Sequence, residues 1–292
     1  MIVVKLIGGL GNQMFQYALG KKLALENNHE LLLDCSFFNE TGTHTPRQYE
    51  LDVFKLNASI ASEEQLALFR SKNESGIAGM FHRFFPFARD YRTFSERGHQ
   101  FQPEVLNVSG NTLFIGYWQS ELYFSDIRNE LLQEFEFAAS LAGLNEELAI
   151  KITTCNAVSL HIRRGDYVSN ASANSFHGLC DLDYYQRGMD YLQRHETDLE
   201  LFVFSDDIAW AKDHLHFNLP MTFIDHNKGK GSSEDMRLMS MCKHNIIANS
   251  SFSWWGAWLN TYAKKRVVAP KKWFLDDAIN TENIIPTSWI QL

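Results

Sequence analysis

Two adjacent arginines follow a short apolar run in the second half of the chain, in the segment SLHIRRGDY at residues 159–167. Along a strand, alternation places His161 and Arg163 on one face and Ile162 on the other. A guanidinium offers a planar fork of N–H donors that matches phosphate oxygens, and it stays charged throughout a reaction. We therefore predict a diphosphate contact at Arg163, with His161 nearby. A surface ion pair between Arg164 and Asp166 is the alternative explanation for the rest of the motif.

A second candidate site for an anion lies in NSSFSWWGAW, residues 249–258. A strand followed by Asn-Ser-Ser and an aromatic helix leaves free N–H groups at the start of that helix, where the helix dipole favours negative charge. Ser250 and Ser251 add hydroxyl donors, and Phe252 is placed to lie beside a base. We expect at least two of the three tryptophans in this segment to belong to the core.

Acidic residues follow two further elements. In FVFSDD, residues 202–207, Asp206 comes directly after a predicted strand, where it could accept from the ribose or base of a nucleotide, bind a divalent metal with the diphosphate, or cap the next helix. Ser205 is the other candidate for that cap. Glu234 and Asp235 open a later helix, and either they serve its dipole or one of them accepts hydrogen bonds from a nucleotide base. A metal site usually needs more oxygen ligands than Asp206 and its neighbour supply.

The glycine turn GGLGNQMFQYA, residues 8–18, follows the first predicted strand. Its spacing fits neither the dinucleotide motif GxGxxG nor a P-loop. Backbone N–H groups around Gly9 and Gly11 could hold an anion at the start of the following helix, and the amide of Asn12 could orient a substrate hydroxyl. The alternative is a tight turn between strand and helix that binds no ligand.

Short apolar runs alternate with helical patterns over most of the chain, which predicts parallel sheets covered on both faces. The first half opens with a strand at 2–7, a helix from 13 to about 26 and a strand at 31–33. Further helices are predicted at 62–72 and 121–135, and a further strand at 113–115. The aromatic stretch between 76 and 101 has no clean period. In the second half, strands are predicted at 157–162, 201–204, 222–224, 245–248 and 267–269. Helices are predicted between them at 183–195, 207–214, 233–242 and 252–263.

The pattern predicts two Rossmann-like domains, residues 1–150 and 151–292, with the last segment free to pack back on the first domain. In parallel sheets ligands bind beyond the carboxyl ends of the strands, and all four motifs lie at such ends.

Composition excludes several classes of function. The chain has 292 residues, 35 of them acidic and 27 basic, and its net charge of -8 argues against broad nucleic-acid binding. The four cysteines lack CxxC spacing, so neither a zinc knuckle nor a redox dithiol is indicated. The N-terminus lacks the features of a signal peptide, and no run of about 18 apolar residues occurs. We expect a cytoplasmic protein, with peripheral contact at the inner face of the membrane left open.

Together, GGLGNQMFQYA, HIRRGDY, FSDD and NSSFSWWGAWLN resemble, in the same order, the motifs of the bacterial α-1,2-fucosyltransferases of glycosyltransferase family 11. The resemblance spans residues 8–260. It implies an α/β fold of the GT-B type, with two facing Rossmann-like domains and mainly parallel sheets. It also implies GDP-fucose as donor, inversion at the anomeric carbon and no metal or other cofactor.

The resemblance further implies roles for individual residues. The second domain binds the nucleotide, Arg163 holds the diphosphate and His161 lies near it. Ser250 and Ser251 correspond to the motif serines, and an amide of the glycine turn that acts at the reaction centre in protein-modifying relatives corresponds to Asn12.

The acidic residue that contacts guanine is less clearly implied. Asp235 is our choice, with Asp206 on the ribose or base. For the general base, Asp166, Asn12 and His44 remain open, although an amide cannot serve as a true base.

The expected activity is transfer of L-fucose from GDP-fucose to the 2-OH of a terminal galactose in an oligosaccharide or a lipid-linked glycan, as in O-antigen or surface polysaccharide biosynthesis. Two alternatives are a fucosyltransferase of another linkage and a non-catalytic carbohydrate-binding protein. A lectin would account for the aromatic residues but not for two arginines at a strand end.

Overall fold

The computed structural model of the protein describes residues 1–39, 47–70, 91–165, 178–276 and 278–292. The chain divides into two compact units, Met1–Glu136 and Phe137–Leu292. The division therefore lies before residue 150, where the sequence pattern placed it. The helix Leu144–Thr154 belongs to the second unit, because it packs against the helix Ser233–Met241.

The first unit is built on a five-stranded sheet whose described pairings are all parallel, in the order β3-β2-β1-β5-β4. Its central strand carries β-branched residues that are fully buried, as expected for a sheet covered on both faces. The strands are β1 (Ile2–Lys5), β2 (Leu31–Asp34), β3 (Ser59–Ile60), β4 (Tyr91–Ser95) and β5 (Asn111–Ile115).

Three described α-helices accompany this sheet: α1 (Leu10–Asn27), α2 (Glu63–Ala67) and α3 (Arg128–Glu134). Helix α1 is buried along most of its length, so even its lysines need partners. Lys21 pairs with Glu134, which also accepts a hydrogen bond from the Tyr17 hydroxyl at 2.7 Å. Asn28, in the left-handed region at φ 50°, ends the helix.

The second unit contains a six-stranded sheet, again with only parallel pairs among those described, in the order β11-β10-β9-β6-β7-β8. Counted from β6, this is the strand order of the doubly wound dinucleotide-binding fold. The last strand pairs with its neighbour in this sheet. The strands are β6 (Asn156–Ile162), β7 (Leu199–Ser205), β8 (Met221–Ile224), β9 (His244–Ile246), β10 (Val267–Ala269) and β11 (Ile290–Gln291).

The described α-helices of this unit are α4 (Leu144–Thr154), α5 (Leu182–His195), α6 (Ile208–His214), α7 (Ser233–Met241) and α8 (Ser251–Leu259). Apolar residues of α5 pack with β6, β7 and β9 in one core cluster. Trp254, Trp255 and Trp258 are all buried in α8, which confirms that the tryptophans of this segment are core residues.

Helix α4 and strands β3 and β11 were not predicted from the sequence, and other elements also differ from the expectation. Strand β4 was not predicted, because it is an edge strand within the aromatic stretch that showed no clean period. The segment predicted as a helix from 121 to 135 forms two 3₁₀ turns before α3. Helix α8 ends at Leu259 rather than at 263, because the side chain of Asn260 accepts from the Tyr262 N–H and donates to the Lys243 carbonyl.

Candidate active site

The topology of the second sheet identifies where a ligand would bind. The chain runs from β6 to β7 and β8 on one side, while β9 to β11 lie on the other. In such a sheet the crevice opens beyond the carboxyl ends of the two strands at this reversal, here β6 and β9. The segments that follow these strands, 163–165 and 247–252, overlap two of the four motifs.

Arg163 comes directly after β6 and is held by an acidic residue that follows β7. Its Nη1 lies 3.0 Å from Oδ2 of Asp206, and both side chains are about a quarter exposed. The other carboxylate oxygen of Asp206 accepts the Arg164 backbone N–H at 2.8 Å. A Cβ atom at Gly165 would lie 2.9 Å from the same carboxylate, so glycine is needed there. Asp206 thus fixes the conformation of the segment that carries Arg163.

Arg164 has a different environment from its neighbour. Its guanidinium lies 3.9 Å above the ring of Trp210, and its Nε is 3.4 Å from Oδ2 of Asp207. The Asp207 side chain also accepts the Trp210 N–H and caps α6, so the cap predicted at Ser205 or Asp206 is wrong. Asp207 takes this role because it immediately precedes the first residue of the helix, and its carboxylate reaches the N–H groups of the first turn.

His161 connects the end of β6 with the first turn of α8. His161 is 5% exposed, and its ring centroid lies 5.8 Å from that of Phe252. Burial lowers the pKa of His161 to about 4, an effect that Asp206 opposes and Arg163 reinforces. The ring is therefore neutral at pH 7, and its Nδ1 is buried without a hydrogen-bond partner among the described residues. Positive charge at this corner comes from the arginines.

Helix α8 begins beside this corner. Ser250 precedes the helix in extended conformation, with no side-chain capping bond of its own. The first intrahelical bond runs from the Trp254 N–H to the Ser250 carbonyl at 3.0 Å, so the N–H groups before Trp254 have no partner within the helix. Ser250 and Ser251 thus lie where an anion is favoured. Asn249 is buried, and its amide donates to the carbonyls of Gly178 and Trp273.

Asp235 belongs to a separate polar cluster of the second unit. Its Oδ1 accepts from Asn227 Nδ2 at 2.8 Å, and Asn227 exchanges hydrogen bonds with Asn145 of α4. Burial raises the pKa of Asp235 to about 7, the hydrogen bond from Asn227 opposes the shift, and Glu234 adds to it. Close to neutral pH this carboxyl group is therefore poised between its two protonation states.

In the first unit, the glycine turn already has a carboxylate partner. The Leu10 N–H, at the start of α1, donates to Oε2 of Glu50 at 2.7 Å. Burial raises the pKa of Glu50, against the lowering effect of the Leu10 N–H and of Arg47. Gln13 holds Glu50 in place by accepting its backbone N–H. The Leu10 N–H is therefore occupied by Glu50 and is not available for the anion contact predicted around Gly9 and Gly11.

Asn12 projects from the first turn of α1. Its Oδ1 accepts a hydrogen bond from Nε2 of Gln119 at 2.8 Å. Gly8 has φ +79°, and a Cβ atom there would lie 2.5 Å from Asn12 Nδ2. Glycine at position 8 therefore allows the conformation of the turn and also leaves room for the Asn12 side chain.

Sequence reasoning missed three residues that shape this part of the first unit: Glu50, Glu96 and Gln119. Gln119 lies four residues beyond β5, so the rule about strand ends could have found it. Glu96 directly follows β4, which the sequence did not reveal. Nothing in the local sequence identifies Glu50 as a partner of a residue 40 positions away.

Two residues considered for base catalysis, Asp166 and His44, lie outside the described residues. Within the described ranges, no three His, Cys, Asp or Glu side chains are grouped so that they could hold a metal ion. The helices described are too short or too polar for any of them to span a membrane.

Two solved structures share the fold. NodZ alpha-1,6-fucosyltransferase soaked with GDP-fucose matches with a TM-score of 0.50 and 11% identity, over 88% of this chain and 92% of that one. A mutant of Arabidopsis thaliana FUT1 in complex with GDP matches with a TM-score of 0.51 and 12% identity, over 99% and 75%. With its two parallel-sheet units, the protein has an α/β fold of the GT-B type, as expected.

Related sequences match over nearly the whole chain. An alpha-1,2-colitosyltransferase of Escherichia coli is 36% identical over 100% of this chain and 99% of the relative. The O-antigen biosynthesis glycosyltransferase WbnK of Escherichia coli is also 36% identical, over 98% and 99%. Galactoside alpha-(1,2)-fucosyltransferase 2 of Rattus norvegicus is 24% identical over 89% and 67%. The model of glycosyl transferase family 11 matches residues 1–292, and with relatives of this similarity the chain belongs to that family.

Proposed function

We propose that this glycosyltransferase moves L-fucose from GDP-fucose to the 2-OH of a terminal galactose in a glycan. Membership of family 11 supports glycosyl transfer, and the rat relative is a galactoside α-1,2-fucosyltransferase by name. The observation that carries the proposal is the position of Arg163, which lies at the reversal of the second sheet and is fixed by Asp206. A nucleoside diphosphate sugar is the substrate that such a guanidinium suits.

The donor would bind through the second unit. Arg163 contacts the diphosphate, and the start of α8 adds the N–H and hydroxyl donors of Ser250 and Ser251. Phe252 lies against the base or the ribose, together with His161. The neutral ring of His161 can exchange hydrogen bonds but brings no charge.

Guanine recognition is proposed for Asp235, with Asp206 on the ribose or base. A carboxylate accepts from the N1 and N2 groups of guanine only when it is ionised. Because the pKa of Asp235 is raised to about 7, binding of GDP through this group would release a proton. Asp206 is already engaged with Arg163 and the Arg164 N–H, which favours a role in fixing Arg163.

In the reaction, the acceptor hydroxyl attacks C1 of fucose while GDP leaves from the opposite face, which inverts the anomeric carbon. The hydroxyl proton passes to the proposed base, Asp166, or to solvent. Negative charge grows on the β-phosphate oxygens as the bond breaks. Donors already aimed at that charge are the main catalytic resource, and the loss of one costs about 10²–10³ in rate. Arg163 supplies the central donor. As the bond from fucose C1 to GDP breaks, the sugar becomes oxocarbenium-like, so a strong base at the acceptor hydroxyl is not required.

The first unit would serve the acceptor side. Asn12 is the side chain proposed to orient the attacking hydroxyl or the transferred sugar, through its amide at the carboxyl end of β1. Asp166 remains the proposed base. We further propose that the reaction needs no metal and that the acceptor is a surface polysaccharide or O-antigen glycan, handled at the cytoplasmic face of the membrane.

The experiment is incubation of the protein with GDP-fucose and a panel of galactosides, with the linkage of the product determined by NMR. The proposal expects an α-1,2-fucosylated galactose. A product of another linkage would overturn the assignment of the acceptor hydroxyl. Turnover of UDP- or CDP-sugars in preference to GDP-fucose would overturn the donor.

GDP-colitose should be assayed in parallel as a second donor, because one relative at 36% identity is an α-1,2-colitosyltransferase. Colitose is L-fucose without its 3-hydroxyl group, so both sugars could use the same diphosphate contacts. Competition between GDP-fucose and GDP-colitose in one reaction distinguishes them by their ratio of kcat/KM. A site that hydrogen-bonds the 3-hydroxyl group would discriminate strongly against the deoxy sugar, because its polar groups would be left unpaired.

A further inference from the structure

The first sheet has a reversal of its own. The chain runs from β1 to β2 and β3 on one side, and β5 and β4 lie on the other. The carboxyl ends of β1 and β5 therefore flank the position where a ligand binds in a sheet of this kind. The segments that follow these strands are the glycine turn, with Asn12, and residues 116–119.

The segment 116–119 is held by a carboxylate. Oε2 of Glu96 accepts the Tyr117 N–H at 2.6 Å, and Oε1 accepts the Trp118 N–H at 3.0 Å. A Cβ atom at Gly116 would lie 2.4 Å from the Cβ of Glu96, so the approach of the two segments requires glycine. These two hydrogen bonds reach from the end of β4 to the chain that leaves β5.

Trp118 fixes the same segment from the other side. Its backbone is in the left-handed region at φ 56°, which costs a non-glycine residue about 1–2 kcal/mol. The indole is fully buried and packs against Phe94, Phe114 and Tyr123. The packing of this side chain and the Glu96 carboxylate together maintain a conformation that the backbone alone disfavours.

The next residue, Gln119, makes the contact with Asn12. Its Nε2 donates to Asn12 Oδ1, which turns the Asn12 amino group toward Gly8. Among the described residues, Asn12 Nδ2 has no hydrogen-bond partner. The Asn12 amide is thus oriented by one hydrogen bond, and its N–H donors are left for a group outside the described chain.

We propose that Gln119 is a positioning residue, which orients the Asn12 amide so that its N–H donors point to the substrate at the carboxyl ends of β1 and β5. The proposal rests on the proposed function, since it takes Asn12 as a contact of the reacting sugars. Gln119 acts through Asn12 and need not touch the substrate.

Two substitutions of Gln119 separate orientation from packing. Gln119→Ala removes the side chain, whereas Gln119→Glu keeps its size but has no N–H to donate to Asn12 Oδ1. We expect both variants to lose kcat by about 3- to 10-fold, the value of one hydrogen bond, with unchanged GDP affinity by calorimetry. Gln133→Ala, at an exposed position of α3, is the matched control and should keep wild-type kcat. Wild-type kcat in Gln119→Glu would overturn the proposal.

A double-mutant cycle tests whether Gln119 acts through Asn12. The variant with both Asn12→Ala and Gln119→Ala should turn over as slowly as Asn12→Ala alone. If the two losses multiply instead, Gln119 acts independently and the inference is wrong.

An NMR measurement separates this inference from the proposed function, since it needs no activity. The side-chain NH₂ signal of Asn12, identified by its absence in Asn12→Ala, should shift in both Gln119 variants and not in Gln133→Ala. If the Asn12 signal shifts as expected in the Gln119 variants but the wild-type protein transfers no fucose, only the proposed function is refuted. An Asn12 signal that is insensitive to Gln119 would refute the positioning role alone.

Discussion

Replacing Arg163 with lysine tests the central feature of the proposed mechanism. The substitution keeps the positive charge and replaces a planar fork of donors with a single ammonium group. Nη1 of Arg163 lies 3.0 Å from the Asp206 carboxylate, which holds one end of the guanidinium. In the variant, a single ammonium group would lie beside the same carboxylate. It lacks the second N–H edge with which a guanidinium can contact a phosphate at the same time.

The expected loss of kcat follows from the function of the donor that the substitution removes. A donor aimed at charge that develops in the transition state contributes about 10²–10³ in rate, or about 2.7–4 kcal/mol. Lysine keeps the positive charge beside Asp206, so the ion pair is retained and the variant should remain folded. We therefore expect Arg163→Lys to lose kcat by at least 10² while its Tm changes by a few degrees at most.

The assay measures GDP release and fucosylated product, together with the thermal unfolding midpoint. Arg194→Lys, at an exposed position in the last turn of α5, is the matched control and should behave like the wild type. Arg164→Lys should lose mainly the stacking on Trp210 and keep kcat within about tenfold of the wild type. A kcat within threefold of the wild type in Arg163→Lys, with the protein folded, would refute the reasoning.

Three further predictions concern a buried carboxyl group, the glycine turn and the metal requirement. The folded-state pKa of Asp235, about 7 against a usual 3.8, makes stability fall as the pH rises through this window, because the folded state retains the proton. Asp235→Asn should therefore raise the free energy of unfolding at pH 8 by up to about 4 kcal/mol. Urea titrations should show that this gain shrinks toward pH 4, and a gain independent of pH would contradict the prediction. Gly8→Ala should lower Tm and kcat, because alanine is strained at φ +79° and its Cβ displaces Asn12; a wild-type Tm would show that the turn relaxes. Transfer should persist in excess EDTA, and loss of activity that Mn²⁺ restores would instead indicate a metal site near Asp206.

Most of the second sheet could be predicted from the sequence. Its strands are short, apolar and β-branched, and helices with clear patterns separate them, so β6 and β10 were predicted within a residue of their observed ends. Strand β4 was not predicted, because an edge strand in a run of aromatic residues shows no single period. The end of α8 was also missed, because it depends on side-chain bonds of Asn260 to the backbone at 243 and 262.

The sequence by itself determined which residue types follow which strands, because alternation of apolar runs and helices is a local property. From that alone, Arg163, Asp206, Ser250 and Ser251 could be placed at the carboxyl ends of parallel strands. The tertiary structure decided which of these residues meet. It placed Asp206 on Arg163, brought the ring of Phe252 to His161, and left Asp235 with Asn227.

In the first unit the tertiary structure decided still more. Glu50 reaches the start of α1 over 40 residues of chain, and Gln119 reaches Asn12 over 107. Strand order and register set these contacts, since pairing brings distant segments to the same edge of a sheet. A hydrogen bond between side chains so far apart in sequence leaves no local pattern, because each residue is compatible with many partners until the sheet is formed.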